Sequence, residues 1–121
     1  MTQLSMKRDA ALKDYLTLVA RLPRVGAAQR EDWMWDWREG DAEAGRLLLE
    51  SFLPLVVAEA AARRGLGARF EALLAVGNRA LAKALAQASA TPPLGSLDAA
   101  VRHVVVDSLK TFWIKEARKS S

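Results

Sequence analysis

The chain has 121 residues, with 18 basic and 14 acidic side chains, a net charge of +4, no cysteine and one histidine. One helical domain of this length folds without cross-links; the missing cysteine excludes disulfides, Cys-ligated zinc and a thiol nucleophile, and the single histidine excludes paired-histidine metal motifs. Hydrophobic residues make up 51% and charged residues 26%, proportions ordinary for a soluble domain, and no apolar run approaches the roughly 18 residues of a membrane span.

Ala, Leu, Arg, Glu and Lys dominate. All are strong helix formers, and no stretch alternates apolar and polar residues with β-branched enrichment, so the expectation is an all-α chain. The spacing predicts a first helix over about Ser5 to Leu22, with Leu12, Tyr15, Leu16, Val19 and Leu22 on one stripe. Pro23 stops it, because a residue before proline is pushed out of the helical region. A second helix is predicted from Ala28 to Glu39, ended by Gly40. Its Trp33, Trp35 and Trp37 alternate as in a strand, but Trp33 and Trp37 also stack one turn apart on a helix, and the flanking acids and arginines favour the helix.

Asp41 is a good N-cap for a third helix reaching about Arg64. Leu48, Phe52, Leu55, Val56 and Ala60 face inward. Pro54 inside it removes an amide donor, so a kink or restart is expected near Phe52; Gly65 and Gly67 close the segment. A fourth helix from Arg69 to Ala88 presents Phe70, Leu73, Leu74, Gly77, Leu81 and Leu85, with Gly77 marking a close approach of another helix. After a loop with Pro92 and Pro93, Ser96 caps a last helix over Leu97 to Ala117. Leu97, Val101, Val104, Val105, Leu109, Phe112 and Trp113 form its apolar face, and Lys115, Arg118 and Lys119 suit its C-terminal dipole. Residues 1–121 therefore read as one domain, a bundle of five helices, with no internal repeat or linker.

Charge is unevenly placed. Residues 29–50 carry seven acids and three bases, residues 61–90 five bases and one acid, and residues 102–119 five bases and two acids. An acidic first half and a basic second half are compatible with a nucleic-acid partner, and equally with scattered solvated charge. No catalytic constellation stands out, and the protein reads as no enzyme, with no catalytic, cofactor or metal residues. The acids sit beside bases as surface ion pairs do. The glycines form no phosphate-binding fingerprint. His103, beside a valine run, reads as structural or rim-exposed rather than as a ligand. The tryptophan cluster reads as core or interface packing, with base stacking as the alternative. Residues Met1 to Asp14 lack the apolar core of a signal peptide, so a cytoplasmic location is expected.

Several segments together carry a resemblance. Tyr15-Leu16 is followed by Arg21-Leu22-Pro23. Then come Gly40-Asp41-Ala42-Glu43-Ala44, Leu53-Pro54-Leu55-Val56-Val57 with Ala60, and Leu73-Leu74-Ala75-Val76-Gly77-Asn78 with Leu81 and Leu85. In this order and spacing the chain resembles the bacterial RNA polymerase sigma-factor family, in region 2 and the short region before it. From Pro23 to Leu85 the alignment needs no gap. Each motif is weak alone; their order and spacing are the specific part.

The resemblance implies a helix ending in Gly-Asn that docks on the clamp coiled coil of the largest subunit of core RNA polymerase. Its docking residues here are Glu71, Leu74, Asn78 and Arg79. It also implies a last helix facing promoter DNA, with Arg102, Lys110, Lys115, Arg118 and Lys119 for phosphates and His103 and Trp113 for bases. The sequence departs from the family at both places. Ala72 and Ala75-Val76 replace an aspartate and a Gln-Glu pair in the docking helix. Asp98 to Val104 carries none of the family's tyrosine and paired tryptophans for melting, and Asp107 stands where an uncharged hydrogen-bonding side chain is usual. The family's downstream helix-turn-helix has no counterpart in the sequence. Two functions stay open: a divergent sigma-like factor that binds polymerase and DNA, and a non-melting helical module that binds polymerase, another regulator or a second copy of itself.

Overall fold

The computed structural model describes residues 3–65 and 68–120, with side chains for 7–65 and 68–119. Among the described residues it is all helix: α1 (Gln3–Ala20), α2 (Ala27–Arg38), α3 (Ala42–Ala61), α4 (Phe70–Ala90) and α5 (Leu97–Ser120). The helix starts and stops lie within a few residues of those expected from the sequence. Gly67 lies outside the described residues.

The α2–α3 junction shows why the sequence turns where it does. Gly40 has φ 104°, a left-handed conformation that glycine adopts without a Cβ penalty. Its amide donates to the Trp37 carbonyl at 3.0 Å, and the Asp41 amide to the Asp36 carbonyl at 3.0 Å, the paired bonds of a Schellman ending. The Asp41 side chain then accepts from the Ala44 amide at 3.2 Å and opens α3. Two adjacent residues thus end one helix and begin the next. α5 opens in the same way, with Ser96 Oγ accepting from the Ala99 amide at 2.9 Å.

Pro54 corrects an expectation. Helical residues run unbroken from Ala42 to Ala61, so there is no restart near Phe52. The proline is exposed. Proline has no amide to donate, so the carbonyl one turn earlier lacks that helical bond, yet the helix continues through it.

α3 is central and touches each of the other four helices, while α4 and α5 form the most extensive pair. Gly77 lies beside Leu109, and Ala88 shares a depression with Ala100 and Val104, so the two helices run antiparallel. The core holds Met34, Leu48, Phe52, Val56, Leu73, Leu81, Leu85, Leu97, Val101, Val105 and Leu109. It also holds Ala80, Ala84 and Ala88, small side chains along the buried side of α4 that let α5 approach. A Cβ added at Gly77 would fall 2.6 Å from Val56 Cγ1, so α3 and α4 meet closely at that point. A Cβ at Gly45 would fall 2.7 Å from the Trp37 ring. Trp33 and Trp37 pack on the core, and Trp35 points outward, 59% exposed.

Candidate functional site

Of the four residues implied for polymerase docking, Leu74 is buried and the other three are half-buried or exposed. Leu74 is 5% exposed and belongs to the core. It is withdrawn as a docking residue, because a side chain packed inside the bundle has no face to offer a partner. The same periodicity that put it on the inner face of the helix is the reading that holds. Arg79 is exposed and Glu71 is half-buried. Glu71 lies 3.5 Å from Arg69 in an exposed pair. Asn78 is half-buried, and its Nδ2 donates to the Tyr15 hydroxyl of α1 at 3.2 Å. Its Oδ1 is buried with no hydrogen-bond partner.

The residues implied for DNA contact divide in two. Arg102, His103 and Lys110 are exposed on the outer side of α5. With Ala99, Val106 and Asp107 they line a shallow depression of about 330 Å³. Trp113, half-buried and packed against the core, sits at the edge of this side. Lys115 and Lys119 follow Leu97 and Val101 by about five full turns and so point to the core side of the helix. They are nevertheless exposed, as is Arg118, because the last core residue of α5 is Leu109. The basic side chains of α5 thus form a mid-helix group, Arg102 to Lys110, and a terminal group, Lys115 to Lys119. Arg102 reaches Glu59 at 3.3 Å and Lys119 reaches Glu116 at 3.2 Å. Both basic partners are largely exposed, so the pairs exchange readily with solvent or a phosphate.

A polar cluster that sequence reasoning missed joins α2 to α4 and α5. Arg30 of α2 makes a bidentate pair with Asp98 in the first turn of α5, at 2.8 and 2.5 Å. It also donates to the Val25 carbonyl at 2.8 Å and lies 5.1 Å above the Phe52 ring. Its side chain is only 16% exposed. The hydrogen bonds to Asp98 raise the guanidinium pKa, with burial opposing, so the charge is fixed. Glu31 accepts the Leu97 amide at 2.9 Å, at the start of α5. Arg38 donates to the Ala88 and Ser89 carbonyls at 2.6 and 3.3 Å, at the end of α4, with Trp35 stacked 5.1 Å from its guanidinium. Charged side chains of α2 therefore satisfy the free ends of α4 and α5 and fix the turn between them. Acids and bases of the 29–50 segment that the sequence presents as a charge imbalance are used inside the molecule. No local signal announces bonds that span so much sequence.

Among the described residues no group of three or more His, Cys, Asp or Glu side chains could hold a metal ion. No helix there is long and apolar enough to cross a membrane. No family model, curated protein or solved structure matches the chain.

Proposed function

We propose that the chain is a sigma-factor-like transcription protein that binds core RNA polymerase through α4 and contacts DNA through α5. What supports the reading is the resemblance itself, in which the segments from Pro23 to Leu85 are laid on the family in order and without a gap. The local structure is compatible with it. The Gly-Asp junction separates two helices, the Leu-Pro-Leu-Val-Val segment is helical, and the Gly-Asn pair lies inside a helix. The partner surface would be the clamp coiled coil of the largest subunit, met by Glu71, Asn78 and Arg79. On DNA, Arg102, Lys110, Lys115, Arg118 and Lys119 would serve phosphates and His103 the base edge. The setting would be the cytoplasm.

A second reading is favoured by the outer side of α5. Between Ala99 and Lys110 it presents no Phe, Tyr or Trp to stack on an unpaired base, and Asp107 sets a carboxylate among the bases. On this reading the protein binds polymerase, a regulator or a second copy of itself without melting DNA.

Co-purification with core RNA polymerase tests both. Retention of the native protein, reduced by Asn78→Ala and by Arg79→Ala, supports the docking; no retention of the native protein refutes it. An open-complex assay on a promoter fragment, such as permanganate reactivity of unpaired thymines, then separates the readings. Opening supports the first, and retention without opening supports the second.

A further inference from the structure

α1 is held more weakly than the other helices. Among its described side chains only Val19 is buried, and it stands outside the contiguous core. Leu12, Tyr15 and Leu16 lean on that core from its edge, and Leu18 is 64% exposed. α1 lies mainly against α3, and even there the packing is incomplete. An open cleft of about 580 Å³ separates Leu16 and Val19 from Pro54 and Val57. The connection to α2 contains Pro23 and Gly26, and around Gly26 nothing lies within 4 Å of a Cβ built there.

Asn78 of α4 donates its Nδ2 to the Tyr15 hydroxyl of α1. That bond leaves the asparagine half-served. The single hydroxyl meets one polar atom of the amide, and the other is buried without a partner. Turning the amide over only exchanges which atom is left unpaired. A buried polar group without a partner disfavours the arrangement that buries it. A loosely packed helix thus holds, through Tyr15, a polar group of the proposed docking surface.

We propose that α1 is a displaceable strap over the Asn78 side of α4. Closed, Tyr15 occupies the amide. Open, the amide is free for a partner that satisfies both of its atoms, presenting a donor and an acceptor together, as a glutamine or asparagine side chain does. The inference rests on the docking reading above, with core RNA polymerase as the partner. Affinity for the partner is then reduced by the fraction of molecules in which the strap is closed.

The test uses the full chain with Tyr15→Phe, which deletes the hydroxyl and keeps the ring, and with Leu12→Ala/Leu16→Ala, which thins the apolar contact. Amide hydrogen exchange is read along all helices, and affinity is measured for core RNA polymerase. The expected result is faster exchange in α1 than in α4 of the native chain. In both variants α1 exchanges faster still, α4 and α5 keep their protection, and polymerase binds about three- to tenfold more tightly. Protection of α1 equal to that of α4 overturns the proposal, and so does variant binding that is equal to or weaker than native. If the native chain binds polymerase and the variants bind no tighter, the strap alone fails. If neither the native chain nor the loosened variants bind, the docking reading fails and the strap falls with it.

Discussion

Replacing Gly77 by alanine tests the closest helix contact in the bundle. On an exposed helix the change would stabilise by about 1 kcal/mol, the difference in helix propensity. Here the new methyl would lie 2.6 Å from Val56 Cγ1, with Leu109 carbons at 3.6 and 3.8 Å. Carbon atoms rest at about 3.5–4.0 Å, so something must give by about an ångström. Val56 is fully buried, and a β-branched side chain on a helix has essentially one rotamer to use. Relief therefore comes from strain at Val56 or from separating α3 and α4, at about 1–3 kcal/mol. Set against the propensity gain, overpacking should leave Gly77→Ala destabilised by about 0–2 kcal/mol. Val56→Ala alone should cost about 2 kcal/mol through lost burial and a cavity. In the double variant the methyl at 77 occupies the space vacated at 56, so the combined loss should fall short of the sum by about 1–2 kcal/mol. Urea unfolding followed by circular dichroism at 222 nm, with unchanged m-values, reads all four corners of the cycle. A Gly77→Ala variant stabilised by about 1 kcal/mol, with strict additivity in the cycle, would refute the close packing of α3 on α4.

Further outcomes follow from the polar contacts. Asp98→Ala leaves the partly buried Arg30 without its bidentate partner and should cost about 2–3 kcal/mol in the same unfolding assay; a loss below about 0.5 kcal/mol would mean that α2 does not fix α5. Arg38→Ala removes both donors to the end of α4, and hydrogen exchange should accelerate around residues 88–96 while the centre of α4 stays protected; uniform protection would contradict the clamp. The Arg46 guanidinium beside Glu43 holds that carboxyl below its ordinary value, chiefly by hydrogen bonding. The pair therefore contributes stability above the ordinary carboxylate range and loses it as pH falls through the lowered value. The effect is small for exposed groups. Glu43→Gln should flatten that part of the acid limb, and an identical acid limb would refute the contribution. For DNA, Lys110→Ala and Arg118→Ala/Lys119→Ala probe the two basic groups of α5 separately. Each lost phosphate contact should reduce the slope of log affinity against log salt by about 0.9, and a group whose removal leaves the slope unchanged is not at the interface.

The helices were legible because their signals are local. Apolar residues recur at helical spacing, glycine and proline punctuate, and Asp41 and Ser96 cap from within a few residues. The ends shifted where tertiary contact intervened; α1 stops at Ala20 and leaves Leu22 half-buried in the connection. The alanine lining of α4 was not legible, since alanine sits equally well on either side of a helix, and only the approach of α5 decides that Ala80, Ala84 and Ala88 are inside. At Pro54 the restart suggested by the missing donor does not occur, because helical bonding continues on either side of it. The α2 contacts at Arg30, Glu31 and Arg38 were hidden for a plainer reason: each joins residues more than a helix apart in sequence. At the candidate site, residue types on α5 were readable. Their division into two groups depends on where the buried part of the helix ends. Leu74 shows the reverse case, in which periodicity alone pointed to the core and the resemblance pointed outward.

Binding to core RNA polymerase is the claim on which the functional reading stands. An equilibrium titration of fluorescently labelled protein with purified core enzyme, followed by anisotropy, measures it directly. The account predicts saturable one-to-one binding that weakens when Asn78 or Arg79 is replaced by alanine, in variants that retain native helix content. A flat titration at micromolar core enzyme, with the protein folded, would contradict it.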